Sequence, residues 1–192
     1  MAKTESSFKN MVLTLLVISL VASFSLGAVY NLTKEPIAKA QQQKKENAIK
    51  QVVPEFDRLE QVSVVPDEGG EAVIVNKAFK ADSIVGFAVE TYTDKGFGGQ
   101  VLLMVGFRPD GTIVNTAVLK HTETPGLGDK MDASKSDFPN QFRDKSPESF
   151  KLSVKKDGGD VDAITAATIS SRAFCDAVQR AYKAVRKEGG QQ

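Results

Sequence analysis

A short hydroxyl-rich stretch near the end of the chain has the residue types needed to hold a phosphate. It reads Asp162-Ala-Ile-Thr165-Ala-Ala-Thr168-Ile-Ser170, and an amphipathic pattern from about Thr168 to Lys187 predicts a helix directly after it. Backbone N–H groups at a helix N-terminus lack intrahelical partners, and the helix dipole adds a partial positive charge there. A phosphate would therefore be well held beside these hydroxyls. Simple capping of the helix is the alternative role.

Two glycine-containing loops upstream are further candidates for a binding site. One is Gly96-Phe-Gly-Gly99, which a hairpin turn would also explain. The other reads His121-Thr-Glu123-Thr124-Pro125-Gly126-Leu127-Gly128. Its Pro-Gly pair predicts a tight turn with Gly126 at positive φ, which would direct Thr124 and Leu127 to one ligand face. Glu123 would either shape that site through hydrogen bonds or be a solvated carboxylate at a strand end.

Taken together and in this order, the three stretches resemble the motifs of the FMN-binding domain family. They are similar to its glycine-aromatic-glycine-glycine turn, its Glu-Thr-Pro-Gly-Leu-Gly loop and its flavinylation motif. Within that family, the short chain with one N-terminal span is most similar to the RnfG component of Rnf-type ion-translocating electron transport complexes. The homologous NqrC component of the sodium-translocating NADH:quinone reductase is the nearest alternative.

This resemblance implies that FMN is the cofactor and that a phosphoester attaches it to Thr168. It also implies that Asp162 and Thr165 belong to the signature that a flavin-attaching transferase recognises, and that the Glu123–Gly128 loop lies against the isoalloxazine ring. The candidate cofactor-binding residues are Thr168, Asp162, Thr165, Ala166, Ala167, Glu123, Thr124, Gly126, Leu127 and Gly128. We expect no metal site and no catalytic residue.

Ala166 departs from the family pattern, which usually has glycine at this position. Alanine is sound there if the local φ is negative. If the position requires a positive φ, we expect flavin attachment to be slowed or lost.

The elements that must position these loops read as an antiparallel sheet. Five segments rich in β-branched and apolar residues predict strands, and short glycine-containing turns separate several of them. The predicted strands are Val62–Val65, Val73–Phe79, Ile84–Thr91, Gln100–Phe107 and Ile113–Lys120. We also expect a short helix over Asp132–Gln141 and a strand over Phe150–Val154. With the terminal helix packed on one face, the fold class is α+β, preceded by one N-terminal transmembrane helix.

The N-terminal region contains one segment long enough to cross a bilayer. Asn10 to Thr33 is 24 residues without a charge, or about 36 Å of helix against a hydrocarbon core of about 30 Å. A cleaved signal peptide is the alternative, but the apolar pattern continues to Leu32 and favours an anchor. Pro36 suits the first turn of a separate linker helix that ends at Pro54. We therefore expect three regions: 1–33 with the membrane helix, 34–56 as the juxtamembrane linker helix, and 57–192 as the FMN-binding domain.

Orientation cannot be taken from the lysine count, which by itself would keep the domain inside. Long domains cross the membrane largely regardless of such charges. The expected location is the bacterial inner membrane, with a single span and the domain on the periplasmic or extracellular side.

Composition excludes several other classes of function. The formal net charge of +1 and the 7% aromatic content give no basis for nucleic-acid binding. A single cysteine, Cys175, and a single histidine, His121, exclude internal disulfides and Cys- or His-rich metal sites. P-loop, HExxH and complete GxGxxG motifs are absent from the sequence.

The leading hypothesis is therefore an electron-relay subunit that carries covalent FMN within a membrane complex of the ferredoxin:NAD type. The partners this implies are the other complex subunits, the transferase and the lipid bilayer. On this view the polypeptide is a redox carrier and an incomplete enzyme by itself. An NqrC-like component of a sodium-translocating NADH:quinone reductase, a stand-alone membrane-anchored flavoprotein reductase and a non-redox binding module are the alternatives.

Overall fold

The structure is a computed structural model that describes residues 7–66 and 71–189. The chain divides into two compact units, Met1–Gln43 and Lys44–Gln192. Two long helices and five strands make up the regular structure of the described residues.

Helix α1 extends over Phe8–Val52 and is 45 residues long. Among the described residues it is the one helix long and apolar enough to cross a membrane. Pro36 lies inside α1, so the expectation of a separate helix starting at Pro36 is wrong. The surrounding lysine, glutamine and alanine residues are strong helix formers, and they continue the helix past the one N–H that proline lacks. Helix α1 ends at Val52, shortly before Pro54, as predicted.

The five strands form one antiparallel sheet in the order β1-β2-β3-β4-β5. Their bounds are β1 Arg58–Val64, β2 Val73–Lys80, β3 Ser83–Thr93, β4 Val101–Phe107 and β5 Ile113–Lys120. Each strand pairs with the next along the chain, which is the arrangement that short connecting turns predict. With the helices, this confirms the predicted α+β fold class.

Helix α2, Thr168–Gly189, covers one face of this sheet. The larger hydrophobic core lies between them and includes the fully buried side chains of Phe107, Phe142 and Phe174. The other face carries a second, smaller core in which Val52 and Ala48, at the end of α1, pack with sheet residues such as Met104. Both faces of the sheet are therefore covered, whereas the sequence predicted a cover on one face only.

Two short predicted elements are wrong. The Asp132–Gln141 segment is not an α-helix: it contains turns and ends in a 3-10 turn, Phe138–Phe142, with Pro139 near its start. The Phe150–Val154 segment makes only an isolated parallel bridge, between Val154 and Val161. Its apolar residues Leu152 and Val154 are buried in the main core, so their alternation reflects packing rather than strand pairing.

Candidate cofactor site

Three segments that are distant in sequence meet around one cavity of about 340 Å³. They are the turn after β3, the loop after β5 and the N-terminus of α2. The cavity is lined by Phe97, Glu123, Thr124, Leu127, Gly128, Ala166, Ala167, Thr168, Ile169 and Ser170. Its volume is in the ordinary range for small-molecule sites.

The glycine turn after β3 lies directly on the chain that follows β5. The Thr122 hydroxyl donates a hydrogen bond to the Gly98 carbonyl oxygen at 2.5 Å. A Cβ atom at position 98 would lie 2.1 Å from the Thr122 carbonyl oxygen, where no side chain fits. Glycine at 98 therefore permits the contact that brings Phe97 to the cavity.

The loop after β5 forms the turn that the sequence predicts. Gly126 has a φ of +78°, and the Leu127 N–H donates to the Thr124 carbonyl oxygen at 3.2 Å. This turn places Thr124 and Leu127 on the same cavity, while Gly126 itself does not line it.

Helix α2 begins at Thr168, on the wall of the cavity. The first helical hydrogen bond runs from the Ser171 N–H to the Ala167 carbonyl oxygen at 3.0 Å. The N–H groups of Thr168 and its next two neighbours precede this bond and have no intrahelical acceptor. They provide donors and the positive end of the helix dipole beside the Thr168 hydroxyl.

The turn before α2 contains a strained residue. Ala166 has a φ of +62°, and the Ala167 N–H closes the turn by donating to the Ile164 carbonyl oxygen at 3.0 Å. Alanine is disfavoured in this left-handed region because its Cβ approaches the backbone. This is the positive-φ case considered for Ala166 from the sequence.

Asp162 and Thr165 do not line the cavity but lie in a neighbouring groove of about 370 Å³. Both residues are exposed. The Asp162 backbone is held by Gln141, which accepts from its N–H at 2.8 Å and donates to its carbonyl oxygen at 3.1 Å. Lys155 Nζ lies 2.8 Å from the Asp162 carboxylate.

Glu123 is buried, contrary to the alternative of a solvated carboxylate. Its Oε1 accepts from the Gly98 N–H at 3.0 Å, and its Oε2 accepts from the Ser170 hydroxyl at 2.5 Å. The carboxylate therefore connects the glycine turn to the first turn of α2.

Three cavity residues were missed by reasoning from the sequence: Phe97, Ile169 and Ser170. Phe97 and Ile169 are exposed, and with Leu127 they place apolar side chains at the cavity. The position of Phe97 inside the quoted glycine turn was a usable signal. Ser170 gave no such signal, because its contact with Glu123 spans 47 positions in the chain.

Cys175 is close to the site in sequence but is not part of its chemistry. It is buried, and that burial raises the pKa of its thiol to about 12. A thiol of this kind stays protonated near neutral pH and is a poor nucleophile. Among the described residues, no group of three or more His, Cys, Asp or Glu side chains could hold a metal ion.

The residues of the cavity fit a flavin phosphate. Free N–H donors and a hydroxyl at a helix N-terminus suit the phosphate, and exposed apolar side chains suit a flat ring. Gly128 leaves the interior open, since a Cβ there would lie 2.5 Å from the Ser170 hydroxyl oxygen.

The comparisons with known proteins agree with this fit. A model of the FMN-binding domain matches residues 96–183, a range that contains all three segments of the site. A model of the RnfG N-terminal region matches residues 1–52. The class of the protein is thus an FMN-binding domain that follows an N-terminal helix of membrane-spanning length.

Relatives of nearly full length define the family more narrowly. Each is the RnfG component of an ion-translocating oxidoreductase complex. The protein of Methanosarcina acetivorans is 35% identical over 94% of this chain and 96% of its own length. Those of Vibrio atlanticus and Shewanella amazonensis are 34% and 33% identical, over 90% and 84% of this chain and 88% and 80% of their own lengths. The chain belongs to the RnfG family of ion-translocating oxidoreductase complex subunits, which confirms the resemblance predicted from its motifs.

Proposed function

We propose that this chain is the electron-relay subunit of a membrane-bound ion-translocating oxidoreductase complex of the ferredoxin:NAD type, and that it carries FMN esterified to Thr168. One observation carries the proposal. Thr168 opens α2 on the wall of the one cavity that all three family motifs share.

Attachment uses the chemistry of the helix N-terminus. The Thr168 hydroxyl loses its proton, a bond from its oxygen to the flavin phosphorus forms, and the bond from phosphorus to the donor's leaving group breaks. The free N–H groups at the start of α2 hold the phosphate oxygens and offset their charge. A flavin-attaching transferase supplies the activated flavin donor.

The remaining cavity residues hold and cover the ring. Phe97, Leu127 and Ile169 offer apolar contact area, and Thr124 offers a hydroxyl. Gly126 and Gly128 give the loop its turn and its open interior, while Ala166 and Ala167 lead into the helix. FMN, when bound, supplies the electron-transfer chemistry, and the protein binds and orients it.

Asp162 and Thr165 have a different role in this proposal. Both are exposed in the neighbouring groove, so a transferase can reach them while Thr168 is presented at the cavity. We assign them to recognition by the transferase rather than to contact with the ring.

A covalent link suits a domain on the periplasmic or extracellular side of the membrane, where dissociated FMN would be lost by dilution. Tethering raises the effective concentration of the cofactor, so weak noncovalent contacts suffice. In this proposal residues 1–33 anchor the chain in the inner membrane, residues 34–56 link to the domain, and residues 57–192 form the flavin carrier. The other complex subunits donate and accept the electrons.

The test compares the two threonines that line the cavity. In the full chain co-expressed with a flavin-attaching transferase, Thr168→Ala should abolish flavin fluorescence that survives SDS and remove the flavin mass from the intact protein. Thr124→Ala is the matched control and should keep both signals. Unchanged flavin mass in Thr168→Ala would place the attachment elsewhere.

The same preparation separates the relay from a stand-alone reductase. Purification from the native membrane should bring down other integral subunits in stoichiometric amounts. A flavin-bearing chain that purifies alone and reduces a substrate by itself would support the reductase instead.

A further inference from the structure

Glu123 lies where the three segments of the cavity meet. It is 5% exposed, and its two carboxylate oxygens are bound by different segments. The Gly98 N–H donates to Oε1 from the turn after β3, and the Ser170 hydroxyl donates to Oε2 from the first turn of α2.

Glycines on two sides give this carboxylate its space. A Cβ at Gly96 would lie 2.6 Å from Oε1, and a Cβ at Gly128 would lie 2.6 Å from Oε2. Both distances are shorter than any real side-chain contact. The surrounding backbone is therefore shaped closely around a carboxylate at this point.

The charge of Glu123 has no cationic partner among the described residues. Burying a carboxylate is unfavourable unless hydrogen bonds hold it. Here two hydrogen bonds and the N-terminus of α2 stabilise the ionised form. An apolar side chain would fill the same volume without this desolvation cost, so the arrangement points to a use for the charge and its two acceptor atoms.

We propose that Glu123 is a positioning residue for the flavin site, an inference that rests on the proposed function. Its carboxylate holds the turn that carries Phe97 against the first turn of α2, which carries Thr168. The apolar wall and the attachment point then keep one relative position. The same carboxylate places a negative charge at the flavin cavity, which disfavours the added negative charge of reduction.

Two variants separate the positioning contact from the charge. Glu123→Gln removes the charge and replaces one acceptor with an NH₂ group, so one of the two contacts is lost. Ser170→Ala removes one contact and keeps the charge. Glu55→Gln, at an exposed carboxylate paired only with Lys80, is the matched control.

The measurements use the full chain in detergent, with attached flavin confirmed by intact mass. Hydrogen exchange at the Gly98 N–H should be about tenfold faster or more in Glu123→Gln, since a hydrogen bond to a charged acceptor is lost. Both site variants should lower the fluorescence anisotropy of the attached flavin. Only Glu123→Gln should shift the flavin reduction potential clearly to a more positive value, and Glu55→Gln should match the wild type throughout.

The outcomes are separable. If the wild type carries flavin, and Glu123→Gln matches it in exchange, anisotropy and potential, the role of Glu123 is overturned while the proposed function stands. If Glu123→Gln does not fold, unchanged anisotropy in Ser170→Ala overturns the role and lowered anisotropy supports it. A wild-type chain without flavin in the presence of the transferase overturns both proposals.

Discussion

The backbone at Ala166 is strained, and the strain lies next to the proposed acceptor. A non-glycine residue in the left-handed region costs about 1–2 kcal/mol, and Ala166 has a φ of +62° there. The side chain is exposed, so little packing offsets this cost. The departure from the family's usual glycine therefore affects stability and, in our proposal, attachment.

Ala166→Gly should relieve this strain. We expect a gain of up to about 1 kcal/mol in the free energy of unfolding, after the greater freedom of glycine in the unfolded chain is subtracted. Thermal unfolding should shift upward by about 2–4 °C, and flavin attachment should become faster in a time course followed by intact mass.

The neighbouring alanine provides the control for this change. Ala167 is buried in the main core, so Ala167→Gly should lower stability by about 0.5–1 kcal/mol. A melting temperature for Ala166→Gly at or below that of the wild type would contradict the strain at position 166.

Asp176 links α2 to the end of β3 and should make stability depend on pH. Burial alone raises the pKa of this carboxyl, but hydrogen bonds from Lys95 and Thr93, with the positive charge of Lys95, outweigh it and lower the pKa below the ordinary 3.8. A lowered pKa stabilises the fold above the ordinary value, and this contribution is lost as the pH falls through the lower value.

Asp176→Asn should therefore flatten the acid side of the stability profile. Its unfolding free energy, measured by denaturant titration, should change less than that of the wild type between about pH 5 and pH 2. Glu55→Gln, at an exposed carboxylate, should keep the wild-type profile. A profile for Asp176→Asn that coincides with the wild type would exclude this linkage.

At the scale of elements, the sheet could be predicted because each strand is a separate apolar run between turn residues. The failures arose where apolar residues are buried without regular pairing. Leu152 and Val154 enter the core from an irregular segment, and alternation alone cannot distinguish this from a strand. Pro36 misled for the opposite reason, because a favourable helical sequence on both sides continues α1 through it.

The candidate site was predictable only where a motif is local. The turn at Gly126 and the helix start at Thr168 depend on neighbouring residues and appear as predicted. The burial of Glu123 and its contact with Ser170 depend on the folding of segments far apart in the chain. A local pattern carries no information about such contacts.

The end of α1 packs on the sheet with almost no space between backbones. A Cβ at Gly106, on β4, would lie 1.7 Å from the Val52 carbonyl oxygen. Gly106→Ala should therefore force the helix end away and lower the free energy of unfolding by about 3 kcal/mol or more. Chemical denaturation of the full chain measures this loss.

Gly189→Ala is the comparison for this substitution, because nothing lies within 4 Å of a Cβ at that position. It should leave the unfolding transition within about 0.5 kcal/mol of the wild type. Equal stability of the two variants would show that the close packing of Val52 on Gly106 is not maintained in solution.

For the whole molecule, the proposed location of the domain predicts its accessibility. In right-side-out vesicles, added protease should digest the domain without detergent, and a fragment containing the Asn10–Thr33 segment should stay protected. Inverted vesicles serve as the comparison and should protect the domain. Full protection of the domain in right-side-out vesicles would exclude a periplasmic or extracellular location. The intact mass of the native protein then reports whether the N-terminus is retained, as an anchor requires.

The position of Thr168 at the start of the last helix has a consequence for biosynthesis. The cavity needs the Gly96–Gly99 turn, the loop after β5 and α2 itself, so a nascent chain still emerging from the ribosome has no complete acceptor site. Truncated products that stop before α2 would stay colourless. Flavin loading would then mark only chains whose synthesis has passed their final element.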